Sequence, residues 1–343
     1  MTSAWQDFLV GRSAQIEADS VRHFGDAAAE LRAARDGGVV CPLTHLGLIV
    51  FSGDDAQTFL HGQLSNDVKL LTVERSEFAT YCSAKGRMLA NFLIWREGQD
   101  YYLQLSRSLL PAMQKRLAMY VMRSKVKLAD ASASRVTLGL AGTAAKTALR
   151  DLFPTLPQQT HDVVHDTANS TLIALPGDRY QLIAEPEAAM RLWPALAAAL
   201  TPVGTPCWEW LEIKNGIPLL TAATQEQFVP QMANMELLGA VNFKKGCYPG
   251  QEIIARTQHL GQIKRRMVLA HVEALSPPQP GDELFASAEE TQAIGMVVNA
   301  EIAPDGGCDL LAVVQTANIE SGMVHLRSAD GPVLSIQPLP YAV

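Results

Sequence analysis

Between Arg135 and Leu200 the chain alternates in a way that leaves few folds open. "RVTLGLAGTAAKTALRDLF" reads as a strand, a glycine turn and a helix. "STLIALPGDRYQLIAEPEAAMRLWPALAAAL" follows as strand, turn, strand, helix. Strand–helix–strand–strand–helix is the order of a ferredoxin-like unit, in which helices cover one face of an antiparallel sheet. An α+β chain is therefore expected.

The flanking segments carry their own periodicities. Residues 3–35 scatter the apolar positions Trp5, Phe8, Leu9, Ile16, Val21, Phe24 and Leu31 before the breaker Gly37-Gly38, which predicts one or two amphipathic helices. "GLIVFSGDDAQTFLHGQLSNDV" predicts a strand, a turn at Ser52-Gly53 and a helix opening near Asp54, with Ala56, Phe59, Leu60 and Leu64 at helical spacing. "FATYCSAKGRMLANFLIWREGQDYYLQLS" predicts strands broken at Lys85-Gly86 and Glu97-Gly98. "RSLLPAMQKRLAMYVMRSKV" places Leu109, Leu110, Met113, Leu117, Tyr120 and Val121 on one helical face. From residue 263 onward short strands alternate with turns at Pro277-Pro278, Pro280-Gly281, Asp305-Gly306-Gly307 and Asp330-Gly331-Pro332, the pattern of a small antiparallel barrel.

Composition narrows the function classes. The 343 residues suit two or three domains, and 48% hydrophobic with 18% charged residues suits a globular protein with a sizeable core. Apolar runs such as "LGLIVF" are too short to span a bilayer, so no membrane segment is expected. "MTSAWQDFLVGRSAQ" lacks a basic region followed by an apolar one, so no secretory signal is expected either. Cys41, Cys82, Cys207, Cys247 and Cys308 are odd in number, far apart and without zinc-type spacing. A disulfide framework or tightly bound metal is not expected, and a reducing cytoplasm is the simplest location. The net charge of −7 argues against a protein coated with nucleic acid. Yet residues 101–129 hold Arg107, Lys115, Arg116, Arg123, Lys125 and Lys127 with no carboxylate, and residues 244–266 hold six Lys/Arg with Glu252 alone. Such stretches form either a local anion-binding surface, with direct tRNA contact as one use, or a pair of solvated faces.

The second basic stretch contains the most unusual local sequence, "FKKGCYPGQEIIARTQHLGQIKRR". A thiol reacts or ligates as a thiolate, and neighbouring cations favour that form. Lys244 and Lys245 precede Cys247, Gly246 and Gly250 permit unusual backbone or close approach, Pro249 stiffens the loop and Tyr248 offers an aromatic face. Gln251 and Glu252 are placed to tie the loop by hydrogen bonds. The residues alone leave a nucleophile, a metal ligand, a binding loop and a plain turn all open. No His/Asp partner stands at a protease spacing.

"FKKGCYPGQE" closely resembles the signature of the YgfZ-like family, folate-binding relatives of the glycine-cleavage aminomethyltransferase. "GDDAQTFLHGQLSNDV", "SAKGRM", "WEWLEIKNGIPLL", "FVPQMANMELLGAVNFKKGCYPGQEIIAR" and the terminal "QPLPY" are similar to family blocks in family order. The resemblance spans about residues 40–343. It implies an aminomethyltransferase-like fold of three domains around a central hole. These would be a discontinuous folate-binding α+β domain (39–134 plus 203–262), a ferredoxin-like domain (135–202) and a C-terminal antiparallel β-barrel (263–343), preceded by a helical extension (1–38). It implies tetrahydrofolate or a derivative as cofactor, stacked on Trp208, with a second position in the "THLGLIV" block that is Leu46 here rather than an aromatic. Where the aminomethyltransferase carries paired aspartates, this chain has Ala90-Asn91, so the parent chemistry is not expected. The resemblance implies an accessory role in assembling or repairing iron–sulfur enzymes, including those that thiomethylate tRNA. Cys247 would be the functional thiol or a cluster ligand shared with the client enzyme. A one-carbon transferase acting on an unknown amine, and a tRNA-contacting protein using the basic stretches, are the alternatives.

Overall fold

The structure is a computed structural model that describes residues 3–166, 169–286, 292–321 and 323–343. The first two residues of the expected N-terminal extension lie outside these.

The chain opens with helix α1 (Ser3–Val10), the short strands β1 (Gln15–Glu17) and β2 (Ser20–His23), and helix α2 (Ala27–Asp36). Strands β3 (Val39–Pro42) and β4 (Leu46–Ser52), helix α3 (Ala56–Gln63), and strands β5 (Glu77–Cys82), β6 (Met88–Glu97) and β7 (Asp100–Ser106) follow. Next come α4 (Leu110–Val121), β8 (Lys127–Asp130), β9 (Val136–Ala141), α5 (Thr143–Leu152), β10 (Val163–His165), β11 (Thr171–Leu175), β12 (Arg179–Ala184), α6 (Pro186–Ala199) and β13 (Thr201–Pro202). Helices α7 (Thr205–Lys214) and α8 (Gln251–His259) bracket a long irregular stretch. Strands β14 (Arg265–Val272), β15 (Glu283–Phe285), β16 (Gly295–Ile302) and β17 (Cys308–Gln315), helix α9 (Thr316–Ser321), and strands β18 (His325–Leu326) and β19 (Ser335–Gln337) complete the chain.

These elements fall into two compact units, Met1–Ala56 with Leu71–Glu77 and Ile94–Trp208, and Gln57–Leu70 with Phe78–Leu93 and Glu209–Val343. In the first, a six-stranded sheet runs in the order β10-β11-β12-β9-β3-β13, with β13 parallel to β3. Alternate residues of its strands point to one face: Leu138 and Leu140, Leu172 and Ala174, Leu182 and Ala184. Against them pack Ala145, Ala148 and Leu149 of α5 and Ala189, Trp193 and Leu196 of α6. Trp5 and Leu9 of α1 join the same core, and Trp5 meets Trp193 edge-on at 5.9 Å. The N-terminal segment is thus built into the first unit.

That segment is not wholly helical. Ala18 and Asp19 take φ of 47° and 66°, the left-handed pair of a two-residue hairpin turn, and β1 pairs with β2 around it. Helical spacing could be read across Ile16 and Val21 because the hairpin is only a few residues long. In the same unit β4 pairs antiparallel with β7 and β8. Helix α4 rests on β4, close enough that a side chain at Gly47 would meet Leu110 at 2.5 Å.

In the second unit Ser83–Gly86 closes the turn between β5 and β6, with the Ser83 N–H donating to Arg87 O at 2.8 Å. The apolar run after Glu252 is the helix α8. The C-terminal segment forms a six-stranded antiparallel sheet in the order β18-β15-β16-β17-β14-β19, a curled half-barrel. Its core includes Ala270, Val272, Leu310, Ala312 and Val314, again every second residue. Among the described residues no helix is long and apolar enough to cross a membrane.

Candidate functional site

Three segments distant in sequence build the Cys247 loop inside the second unit. Ser65, fully buried just after α3, is their junction. Its hydroxyl donates to Ala240 O at 2.6 Å and accepts from the Thr80 N–H at 2.8 Å, while its carbonyl accepts from the Asn242 N–H at 3.0 Å. Asn66 adds amide bonds to Phe78 O and Gly239 O, both 2.8 Å. Nothing in the sequence pattern singled out Ser65 or Asn66. Their importance lies in the distant backbone groups they satisfy.

Lys245 is only 6% exposed. Its ammonium donates to the carbonyls of His61 and Leu64, the latter at 2.5 Å, and lies 4.7 Å from the Tyr248 ring centroid. The last carbonyls of a helix have no partner within it, and a cation there satisfies both hydrogen bonding and the helix dipole. The lysine expected to favour a thiolate is therefore engaged as a cap on α3.

Gly250 starts α8 with φ 81° and ψ 0°. A Cβ there would lie 2.5 Å from Ser83 O and 2.7 Å from Gly86 Cα, so the hairpin tip and the loop meet glycine on glycine. Gly246 does not take a positive φ, and a side chain there would begin 3.5 Å from the His61 imidazole, an ordinary contact. Of the two glycines expected to need unusual backbone, only Gly250 uses it. Gln251 ties the loop through its N–H to Tyr248 O at 3.2 Å and its amide to Lys245 O at 3.4 Å. Glu252, expected to do the same, pairs instead with Arg256 one helical turn on, at 2.9 Å on the exposed face.

Tyr248 is buried, and burial with Cys82 nearby pushes its phenol pKa upward. Cys82 is itself buried against the Thr80 hydroxyl at 3.4 Å, and burial pushes its thiol up to about 12. Cys41, Cys207 and Cys308 are buried too, whereas Cys247 is exposed. The loop thus presents one thiol to solvent on a scaffold fixed from beneath.

His61 is a neighbour that the sequence did not reveal. Its Nδ1 lies 3.0 Å from Asp67 Oδ1. Burial, Lys245 and Lys69 push its pKa down against the pull of Asp67.

Trp208 and Leu46, the residues expected to hold folate, both belong to the first unit. Trp208 is fully buried. Its indole lies against Gly139 of β9, where a Cβ would come within 2.5 Å of the ring, and under the Arg179 guanidinium at 5.1 Å. A ring so enclosed has no free face for a pterin, so Trp208 does not fit the stacking role. Leu46, also in the first unit, is half-buried and lines a shallow open cleft with Gln104, Arg107 and Ser132. Asn91, in the second unit, spends its side-chain amide on the backbone. It donates to Pro218 O at 2.7 Å and accepts from the Leu220 N–H at 3.0 Å.

The GCVT N-terminal domain family matches residues 12–175. The chain is 33% identical over 299 residues to the tRNA-modifying protein YgfZ of Yersinia pseudotuberculosis serotype O:1b (strain IP 31758), across 86% of this chain and 90% of that protein. The chain belongs to the YgfZ family. A second YgfZ protein, from Sodalis glossinidius (strain morsitans), is 33% identical over 298 residues with the same coverage. The crystal structure of glycine cleavage system aminomethyltransferase T from Bartonella henselae matches 98% of this chain and 96% of its own with a TM-score of 0.82. Its 18% identity carries the fold alone. This YgfZ chain therefore has the aminomethyltransferase-like α+β fold, and its motif loop is the segment built on Ser65, Lys245 and Gly250.

Proposed function

We propose that this YgfZ-family chain is an accessory protein of tRNA modification that presents the Cys247 thiol to an iron–sulfur client enzyme, such as one that thiomethylates tRNA. The observation that carries this reading is the contrast between one exposed thiol on a rigid loop and four buried ones. The relatives bearing the name tRNA-modifying protein supply the biological setting. A single thiolate is one ligand of a cluster that ordinarily takes four, so Cys247 acts in shared coordination or exchange, with the partner completing the set. A reducing cytoplasm suits five cysteines that are odd in number and far apart in the chain.

A reduced folate is the ligand that the resemblance to aminomethyltransferases supplies. No step is assigned to it, because the indole meant to hold it is enclosed. Calorimetric titration of the full chain with tetrahydrofolate tests that part separately.

The deciding experiment is rescue of a deletion strain with wild type or Cys247→Ala, reading tRNA thiomethylation and the activity of iron–sulfur enzymes. The variant is expected to fold, since an exposed thiol leaves no cavity when removed, and to fail in rescue. Full rescue would reduce the loop to a structural turn.

A further inference from the structure

The three segments that assemble the loop share a charge bias unlike the rest of the chain. Residues 57–70, 78–93 and 241–266 carry nine Lys/Arg and two carboxylates, in a protein of net charge −7. Both carboxylates are already engaged, Asp67 beside His61 at 3.0 Å and Glu252 with Arg256 at 2.9 Å. Lys245 is consumed in building the loop. Lys69, Lys85 and Lys244 remain exposed, and none makes a salt bridge among the described residues.

Each of the three stands on a segment that contacts the Cys247 loop. Lys244 lies three residues before the thiol. Lys85 stands on the hairpin tip whose Gly86 abuts Gly250. Lys69 follows α3 and is near enough to His61 to act on its charge, while His61 adjoins Gly246. Exposed Leu70 follows Lys69 directly, and exposed Ile253 lies against Gly86 beside Lys85. Like charges held together repel, and a fold that concentrates them around an exposed thiol loses stability unless an anion is bound there. Compact, freely rotating ammonium groups suit phosphate oxygens as point charges.

We propose that this face docks the phosphate backbone of an RNA, with Lys69, Lys85 and Lys244 as its contacts and Cys247 at its centre. The inference rests on the tRNA-modification reading and adds that the chain touches the RNA itself. Three phosphates neutralised would give binding that weakens with salt at a log–log slope of roughly −2 to −3. Each lysine removed should take about one unit from that slope.

The test measures binding of an unmodified tRNA transcript to the full chain across a salt series. The Lys69→Glu/Lys85→Glu/Lys244→Glu variant is expected to lose on the order of 100-fold in affinity at about 0.1 M salt, with a nearly flat salt dependence. A Lys115→Glu/Arg123→Glu variant, in the other basic stretch, should bind as wild type. Melting temperatures confirm that each variant is folded. Absent or salt-independent binding by wild type, or wild-type binding by the triple variant, would overturn the proposal. So would loss of binding in the Lys115/Arg123 variant. Displacement by poly-glutamate as effective as by unlabelled tRNA at equal charge would assign the face to an acidic protein instead. The two readings separate in cells: rescue by the triple variant but not by Cys247→Ala would refute RNA docking and leave the role of the thiol intact.

Discussion

Replacing Lys245 with methionine separates a lysine that builds the loop from one that activates the thiol. Methionine keeps an unbranched apolar stem and removes the ammonium. The carbonyls of His61 and Leu64 at the end of α3 would then lose their buried donor. A hydrogen bond to a charged group is worth about 1.5–3 kcal/mol net, so two lost bonds suggest about 3–6. Removing a buried charge relieves some desolvation, which brings the expected cost to about 3 kcal/mol. In a unit of this size that corresponds to a fall in melting temperature of about 6–12 °C. Thermal unfolding of the full chain measures it, and iodoacetamide labelling read by mass spectrometry reports the state of Cys247 in the same samples. The cap account expects lower stability and faster labelling of Cys82, because the loop above it loosens. A variant that melts within about 1 °C of wild type, yet labels several-fold more slowly at Cys247, would show that the lysine serves the thiol and that this account is wrong.

Two further outcomes follow from the geometry. Gly250→Ala should cost at least about 2 kcal/mol in urea unfolding, from left-handed backbone and from the approach to Ser83 O, whereas Gly246→Ala should cost less than half as much. Equal effects would contradict the glycine-on-glycine packing. In the first unit, burial holds His45 at about 3 and His161 at about 4, against 6.5 for an unperturbed imidazole. Their folded pKa values are depressed, so below pH 6.5 the unfolded chain takes up protons that the folded chain refuses. Stability is therefore complete above pH 6.5 and is lost as pH falls towards 4. His161→Gln should flatten that limb by about 1.4 kcal/mol per pH unit, and an unchanged urea midpoint profile would refute the assignment.

Much of the architecture was legible because periodicity and punctuation are local. β4, α3, β5, β6, β7 and α4 lie where alternation, helical spacing and glycine breaks put them. The β1–β2 hairpin was not legible, since Ala18-Asp19 lacks the glycine that usually marks such a turn. β3 and β13 joined the six-stranded sheet unannounced, because strands this short carry no period of their own.

The motif by itself identified the loop, its cysteine and its family, since a run of unusual residues is visible without any fold. Which groups serve that loop was decided only by tertiary structure. Lys245 looked like a neighbour of the thiol because it is two residues away, yet its long stem carries the charge to carbonyls some 180 residues distant. Trp208 looked like a ligand platform because an indole can stack, yet packing on Gly139 closed both the space and the face. Ser65, Asn66 and His61 looked like nothing, and the site is assembled on them. Residue type sets what a side chain can do, but burial and hydrogen-bond partners, which depend on segments far apart in the chain, select what it does.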